Sequence, residues 1–340
     1  MSAVSKFFSA ACLFLWAGLL AQPLGAQSCV PYTASGPIVA TKNNQKIQNL
    51  VITADKGPGI DVNGKSGVTI KNVIIRHSAG PGIRLQGAAN TTISGVDIIH
   101  TGGPAKGANR SYQENNIDCY DSANLTVTNA RLTGGSSGIF LLQCPGSRLS
   151  TIEGHDQRGP FPRGQLVQWD KSNNARLTDF SNETSLTKSW PEDNVNVYKS
   201  KNVIIQRGLL DGNNAPTGDG VLIDVGSSDV LVEDVDGVRQ GNGCFGIWGT
   251  GAGGITLRGT RCRDTVCDGV RGVPSSNSLG WAIDPERGKV GIRIEGAKYF
   301  NFCNPGSIVW DETMLDVGQF AEKDFVARKP IRAKLCQYGY

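Results

Sequence analysis

The chain has 340 residues, with 44 Gly, 15 Pro, 9 Cys and 2 Met; 39% are hydrophobic, 19% are charged, and the formal net charge is +4. This apolar fraction excludes a disordered tail, and the small net charge excludes the dense basic footprint of a nucleic-acid binder. Glycine is abundant without the every-third-residue period of collagen, which favours turns and short strands.

Residues 1–26 carry a single charge, Lys6, followed by an apolar run from Phe7 to Ala21 and the small-residue sequence Leu24-Gly25-Ala26. That order predicts a signal peptide. The run of about 15 residues is short of the ~20 that span a bilayer, so no membrane span is expected in the mature chain. An uncleaved anchor is the alternative. A secreted or periplasmic protein follows from the first reading. Cleavage would remove Cys12 and leave an even number of cysteines, which in an exported chain predicts disulfides. There is no Cys-x-x-Cys pair and the three His are scattered, which disfavours a structural zinc site.

From about residue 51 an internal repeat dominates. Pro58-Gly59-Ile60 returns 23 residues later as Pro81-Gly82-Ile83, and an apolar residue follows each Ile ten places on, at Ile70 and Ile93. The same frame runs through Ile117, Ile139, Val167, Val195, Val221 and Ile247, with weaker copies headed by Val270 and Ile292. Around each head, apolar and polar residues alternate, as in Gly59-Ile60-Asp61-Val62-Asn63, which predicts a strand with one buried face. A lone copy cannot bury that face, but stacked copies can share one core. The expected architecture is an all-β solenoid, a parallel β-helix of about ten coils over residues 51–295, each with about three short strands. Residues 27–50 and 296–340 break the pattern and are expected to cap it. Gly or Asn precedes nearly every head, which predicts a left-handed bend at that place.

In this frame Cys244 and Cys267 lie three residues before successive heads. Coils about 4.8 Å apart would bring them within disulfide reach. Cys303 with Cys336 is expected to tie down the tail, Cys119 with Cys144 is an open pairing although out of register, and Cys29 and Cys262 have no assigned partner.

Long intervals between heads fall in the middle of the chain, within 101–115, 154–164, 181–193 and 211–219. Loops leaving one edge of a rigid stack would wall a groove, where functional residues concentrate. The outward columns there read Gln168, Asn196, Leu222 and Trp248, and Asp170, Tyr198 and Asp224, with Lys171 and Lys199 one place later. Aromatic faces beside planar polar groups suit a sugar chain, and cations suit a uronate. The alternative for any one residue is the solvated face of a sheet.

Asp193 and Asp219 stand two places before adjacent heads. Stacked carboxyls push their pKa values apart, giving one acid and one base able to cleave a glycosidic bond. The alternative is that both accept backbone N–H groups at the bend. His155 and Arg163 share an insertion that mixes a possible base with cations, whereas His77 and His100 are expected to stack structurally at a turn.

The repeat resembles the pectin-lyase-like superfamily of right-handed parallel β-helices, from about Leu50 to Glu295. Its specific echo is of polygalacturonase-type hydrolases. Their successive motifs correspond here to Glu192-Asp193-Asn194, Gly218-Asp219-Gly220, Cys244-Phe245-Gly246 and Val270-Arg271-Gly272. The resemblance places Asp193, Asp219 and Arg271 in matching columns, with Gly220 and Phe245 where that family has Asp and His. It implies a right-handed coil and a polysaccharide substrate.

The combined expectation is an exported protein that binds an acidic polysaccharide across the middle coils and cleaves it by hydrolysis or by β-elimination. In elimination Lys171, Lys199, Arg163 or His155 would serve as base or cation, with Ca²⁺ on Asp170 and Asp224 if a metal is used. The second class is a non-catalytic glycan-binding surface or matrix protein.

Overall fold

A computed structural model describes residues 30–336, apart from 103–112, 160, 188, 216, 250–252, 267–278, 284–290, 304–307 and 311–317. The expected signal peptide, Cys29, Cys267, Val270 and Arg271 lie outside the described residues. From Pro31 onward the chain belongs to one unit.

All regular elements among the described residues are strands, arranged in two parallel sheets. One sheet is built from short strands such as Ile83–Gln86, Ile139–Leu142 and Val195–Tyr198. The other is built from long ones such as Thr69–His77, Arg148–His155 and Ser228–Gln240. Up to Ile255–Arg258 successive strands of the chain alternate between the sheets, so each of these coils contributes one short and one long strand. Ile60, Ile83, Ile117, Ile139, Val167, Val195 and Val221 align in register, each at most 1% exposed. Burying such a side chain contributes roughly 1.5–3 kcal/mol, and the stack repeats that gain along one continuous core. The ladder starts at Thr33–Ser35 and Ile38–Val39 and continues after residue 295 into Gly318–Glu322.

Each long strand bends partway, at left-handed residues that stack from coil to coil: Asn49, Asn72, Gly95, Asn129, Thr151, Asp179, Arg207 and Asp234. The bend splits it into two legs, so a coil holds three straight segments, as the repeat length implied. A second left-handed column contains Asn90, Asn124, Asn174 and Asn202. There Asn124 Nδ2 donates to Asn90 Oδ1 (3.0 Å) and Asn202 Nδ2 to Asn174 Oδ1 (2.8 Å).

Three expectations are corrected. The described glycines before the heads have no left-handed backbone; Gly59, Gly82, Gly138, Gly220 and Gly246 are required by close approach. A Cβ on Gly82 would lie 2.7 Å from Asn116 O, and one on Gly138 2.5 Å from Leu166 O. The late heads shift. Only two residues separate Ser228–Gln240 from Gly243–Ile247, so that strand starts early and Phe245, not Ile247, aligns with Val221. Trp281 comes next, and Ile292 lies in the long sheet against Ile255.

The third correction concerns disulfides. Cys119–Cys144 forms, but Cys244 joins Cys262 in place of Cys267. Cys262 aligns with Gly237, where a Cβ would sit 2.8 Å from Cys244 Sγ; the missing side chain leaves room for the link. Cys303 and Cys336 are both oxidised, but not with each other. Cys303 N donates to Thr265 Oγ1 near the last coils. Cys336 lies three residues past Ala333, which is held on the Arg148–His155 strand. Four strand steps of about 4.8 Å, roughly 19 Å, separate that strand from Arg261–Arg263, more than three residues span.

The reason is the course of the tail. Residues 323–336 run back across the outer face of the long sheet. Lys323 N donates to Tyr299 O (3.0 Å), Arg328 N to Asp236 Oδ2 (2.6 Å), Ser181 Oγ to Ile331 O (2.9 Å) and Ala333 N to Glu153 Oε2 (2.8 Å). Tyr32 then donates to Cys336 O (3.2 Å), so the two ends of the described chain meet on that face.

Candidate active site on the short sheet

The loops expected to wall a groove leave the long sheet and return to the short one around residues 156–166, 184–194 and 214–218. On the outer face of the short sheet, Gln168 aligns with Asn196, and Asn196 with Leu222; Asp170 aligns with Tyr198. Trp248 is displaced from its expected column. Because Leu222 aligns with Gly246, Trp248 falls beyond Ile247 at the level of Asp224.

Asp193 and Asp219 share a column on adjacent coils, as the spacing implied. Both are 0% exposed. Asp193 Oδ1 accepts Asp219 N–H (2.8 Å) and Oδ2 accepts Asn196 Nδ2 (2.9 Å). Asp219 Oδ1 accepts Asn242 Nδ2 (3.2 Å) and Oδ2 accepts Trp248 Nε1 (2.9 Å). Its carboxyl fills space left by two glycines: a Cβ on Gly246 would lie 1.9 Å from Oδ2, and one on Gly243 2.4 Å from Oδ1.

Burial pushes Asp219 up to about 7, against the bonds from Trp248 and Asn242. Burial, with the charges of Glu192 and Asp219, raises Asp193 well above the carboxylate range. The two are joined by two half-buried carboxyls. Glu192 rises to about 7 through burial and the charge of Asp224, and burial also raises Asp224. Four acids on two coils therefore cannot all ionise together near neutrality.

Toward the N-terminal coils the face changes. The Arg163 guanidinium lies 4.0 Å over the Phe140 ring and donates to Gln168 Oε1 (3.2 Å), and burial lowers its pKa. Tyr120 meets Phe140 edge-on at 5.8 Å. Asp118, 2% exposed, accepts Asn115 Nδ2 (2.5 Å) and is pushed by burial to about 7. Burial and Asp118 raise Tyr120 to about 12. Lys171 and Lys199 are exposed, both with left-handed backbones, and Lys199 Nζ lies 4.6 Å over the Tyr198 ring. Burial raises Asp170, opposed by Lys171, Lys199 and Arg163.

His155 is not brought here. It ends a long strand, its Nε2 pairs with Glu153 Oε1 (2.9 Å), and Glu153 is bound by the tail on the other sheet. His77 and His100 do stack, 4.7 Å apart and edge-on, and burial holds them neutral, at about 4 and about 3. Asp170 and Asp224 are two coils apart with Tyr198 between them, roughly 10 Å along the stack. Among the described residues no group of three or more His, Cys, Asp or Glu is placed to hold a metal.

A family profile described as a right handed beta helix region matches residues 32–178. Among solved structures, the catalytic domain of a GH87 alpha-1,3-glucanase variant in complex with tetrasaccharides superposes with a TM-score of 0.60 at 12% identity, covering 84% of this chain and 54% of that one. The chain has the right-handed parallel β-helix fold. An endo-xylogalacturonan hydrolase from Aspergillus tubingensis is also similar, with a TM-score of 0.46 at 10% identity over 91% of this chain and 90% of that one. The chain spans about half the length of the glucanase domains it matches. No curated protein sequence matches it significantly.

Glu192 and Asp118 stand outside the set of residues expected from the sequence. Glu192 precedes Asp193 in the same insertion, and Asp118 stands in the first outward column. Adjacency to a candidate acid was the available signal for the first, and column membership for the second.

Proposed function

We propose that this β-helix is an exported glycan-binding protein that cleaves a polysaccharide on the short-sheet face, with Glu192 and Asp224 as the working carboxyls. The observation that carries the reading is their shared field. Each is reachable from solvent, and the charge of Asp224 helps hold the proton on Glu192. A general acid must come within hydrogen-bond reach of the leaving oxygen and retain its proton near neutral pH. Glu192 meets both requirements as acid, and Asp224, less strongly raised, acts as base or nucleophile. Asp193 and Asp219 have their oxygens occupied and no exposed surface, so they act behind the pair, keeping that field acidic and poorly hydrated.

Arg163, Lys171 and Lys199 support an acidic sugar in the chain, while Gln168, Asn196, Tyr198 and Trp248 support hydroxyl bonding and stacking. Disulfides at Cys119–Cys144 and Cys244–Cys262 suit an oxidising compartment and hence export. One observation favours binding without cleavage: the complete satisfaction of Asp193, which makes part of the acidic cluster structural.

The test is incubation with a panel of neutral and uronate polysaccharides. New reducing ends without an unsaturated product mark hydrolysis. An ultraviolet-absorbing unsaturated product marks elimination and sinks the acid–base assignment. Binding with neither product selects the non-catalytic reading.

A further inference from the structure

A buried polar column runs beneath the site, made of the residues two places before successive heads. On three adjacent coils they are Ser137, Gln165 and Asp193, because Ile139 aligns with Val167 and Val167 with Val195. Ser137 and Gln165 are 0% exposed. Ser137 is anchored by its own N–H, which donates to Asn115 Oδ1 (2.8 Å). Its Oγ accepts Gly164 N–H (3.1 Å), so the hydroxyl proton turns to Gln165 Oε1 (3.0 Å). The far side of the same amide faces two acceptors: Gln165 Nε2 donates to Pro162 O (3.2 Å) and to Glu192 Oε2 (3.2 Å). A hydroxyl that already accepts a bond on one side, and a carbonyl on the other, fix the orientation of the amide.

The main chain of Glu192 is clamped as well: its N–H donates to Arg163 O (2.9 Å) and its carbonyl accepts Asn213 Nδ2 (3.2 Å). What remains is rotation of the carboxyl about its last bond, a broad two-fold torsion that exchanges the two oxygens. The Gln165 amide removes that equivalence. An N–H group bonds the bare oxygen of a carboxylic acid in preference to its hydroxyl, so a protonated Glu192 keeps its hydrogen on the other oxygen. We propose that Gln165, locked by Ser137, is the positioning residue of Glu192: it holds Oε2 as an acceptor and makes Oε1 the one oxygen that carries and delivers the proton. This rests on the glycan-cleaving reading above and adds to it how the acid is set. A general acid needs its proton aimed at one place, and a carboxyl free to turn divides its time between two. The same amide bond also favours the ionised form, against burial and the charge of Asp224, and so keeps the acid from holding its proton too tightly to give.

The experiment observes Glu192 directly, without substrate, by NMR of the full chain labelled at glutamate carboxyl carbons and glutamine side-chain nitrogens. Glu192→Gln identifies the Glu192 signal. In the wild type, the Gln165 side-chain amide signals should move with pH at the same midpoint as the Glu192 carboxyl; independent midpoints overturn the proposal whether or not the Gln165 variants fold. Gln165→Leu removes the donor and is expected to raise the Glu192 midpoint by roughly one pH unit. Gln165→Glu, which keeps the shape and the bond from Ser137, is expected to raise it further and split it into two steps, since two carboxyls then face each other. Ser137→Ala, which frees the amide to turn, is expected to raise it by less than Gln165→Leu does. Asp193, Asp224 and Arg163, the charged groups around Glu192, are unchanged in all three. A Glu192 midpoint that stays in place in Gln165→Leu and Gln165→Glu, both shown to be folded by thermal melts, makes Gln165 a packing residue and overturns the proposal. On a polysaccharide that is cleaved, the alkaline limb of kcat should rise with the Glu192 midpoint in Gln165→Leu; a limb that stays in place overturns the link to the acid. Coupled titration in a chain that cleaves no polysaccharide overturns the cleaving reading and keeps the placement of the Glu192 proton.

Discussion

The two outer faces of this β-helix use most of their described acids in different ways. On the long sheet, acids meet arginines: Arg207 with Asp179 (2.7 Å), Arg131 with Asp97 (2.5 Å), Arg261 and Arg328 with Asp234 (2.7 and 2.5 Å). There Arg207 holds Asp179 below the usual carboxylate range. Burial raises Glu153, but His155, the Ala333 N–H and Arg332 outweigh it and hold it low. On the short sheet, burial runs ahead of pairing, and Asp118, Asp170, Glu192, Asp193, Asp219 and Asp224 are all raised. Paired acids hold a strap in place, although burial raises Asp236 even there, while under-paired acids store protons. Perturbation of that second kind marks a functional face more often than a structural one.

That contrast can be broken from either side. The largest effect is expected at Glu192: Glu192→Gln should lower turnover by about 10²–10⁴-fold with binding little changed, read as a kcat loss at constant KM. The next is in stability against pH. Asp118 and Asp219, with folded values of about 7, keep protons that the unfolded chain releases above its carboxylate range. Stability should therefore fall as pH rises from about 4 to about 7, by on the order of 2–4 kcal/mol per group. Asp118→Asn, which still accepts from Asn115, should flatten the fall and raise the melting temperature at pH 8; an unchanged profile contradicts the raised value. On the other face, Arg328→Ala leaves Asp234 with Arg261 alone and should cost about 1 kcal/mol with activity intact. Increased proteolysis of 323–336 would confirm that the strap loosens. The smallest is a yes-or-no observation: peptide mapping without reduction should recover Cys244 linked to Cys262, and recovery of Cys244 with Cys267 would contradict the register.

How much of this was legible in the sequence follows from what repeats. The heads from Ile60 to Val221 declared the coil because each buries the same side chain in the same place. The frame failed at Phe245, where a two-residue turn replaced a longer loop and moved the strand by two. It failed also at Cys262, whose partner depends on a side chain missing from Gly237. Asp193 and Asp219 were found by column, but a column position does not say whether a carboxyl faces solvent. Only packing against Gly243, Gly246 and Trp248 shows that Asp219 is sealed. The strap could not be read at all, since residues 323–336 have no period, and their contacts with Asp236, Glu153 and Tyr32 span most of the chain.

The most direct test is a crystal structure with an oligosaccharide substrate bound. The account predicts the sugar chain along the short-sheet face, with a glycosidic oxygen within hydrogen-bond reach of Glu192. A chain lying on the strap-covered face, or on the short sheet with Glu192 turned away from every glycosidic oxygen, would contradict it.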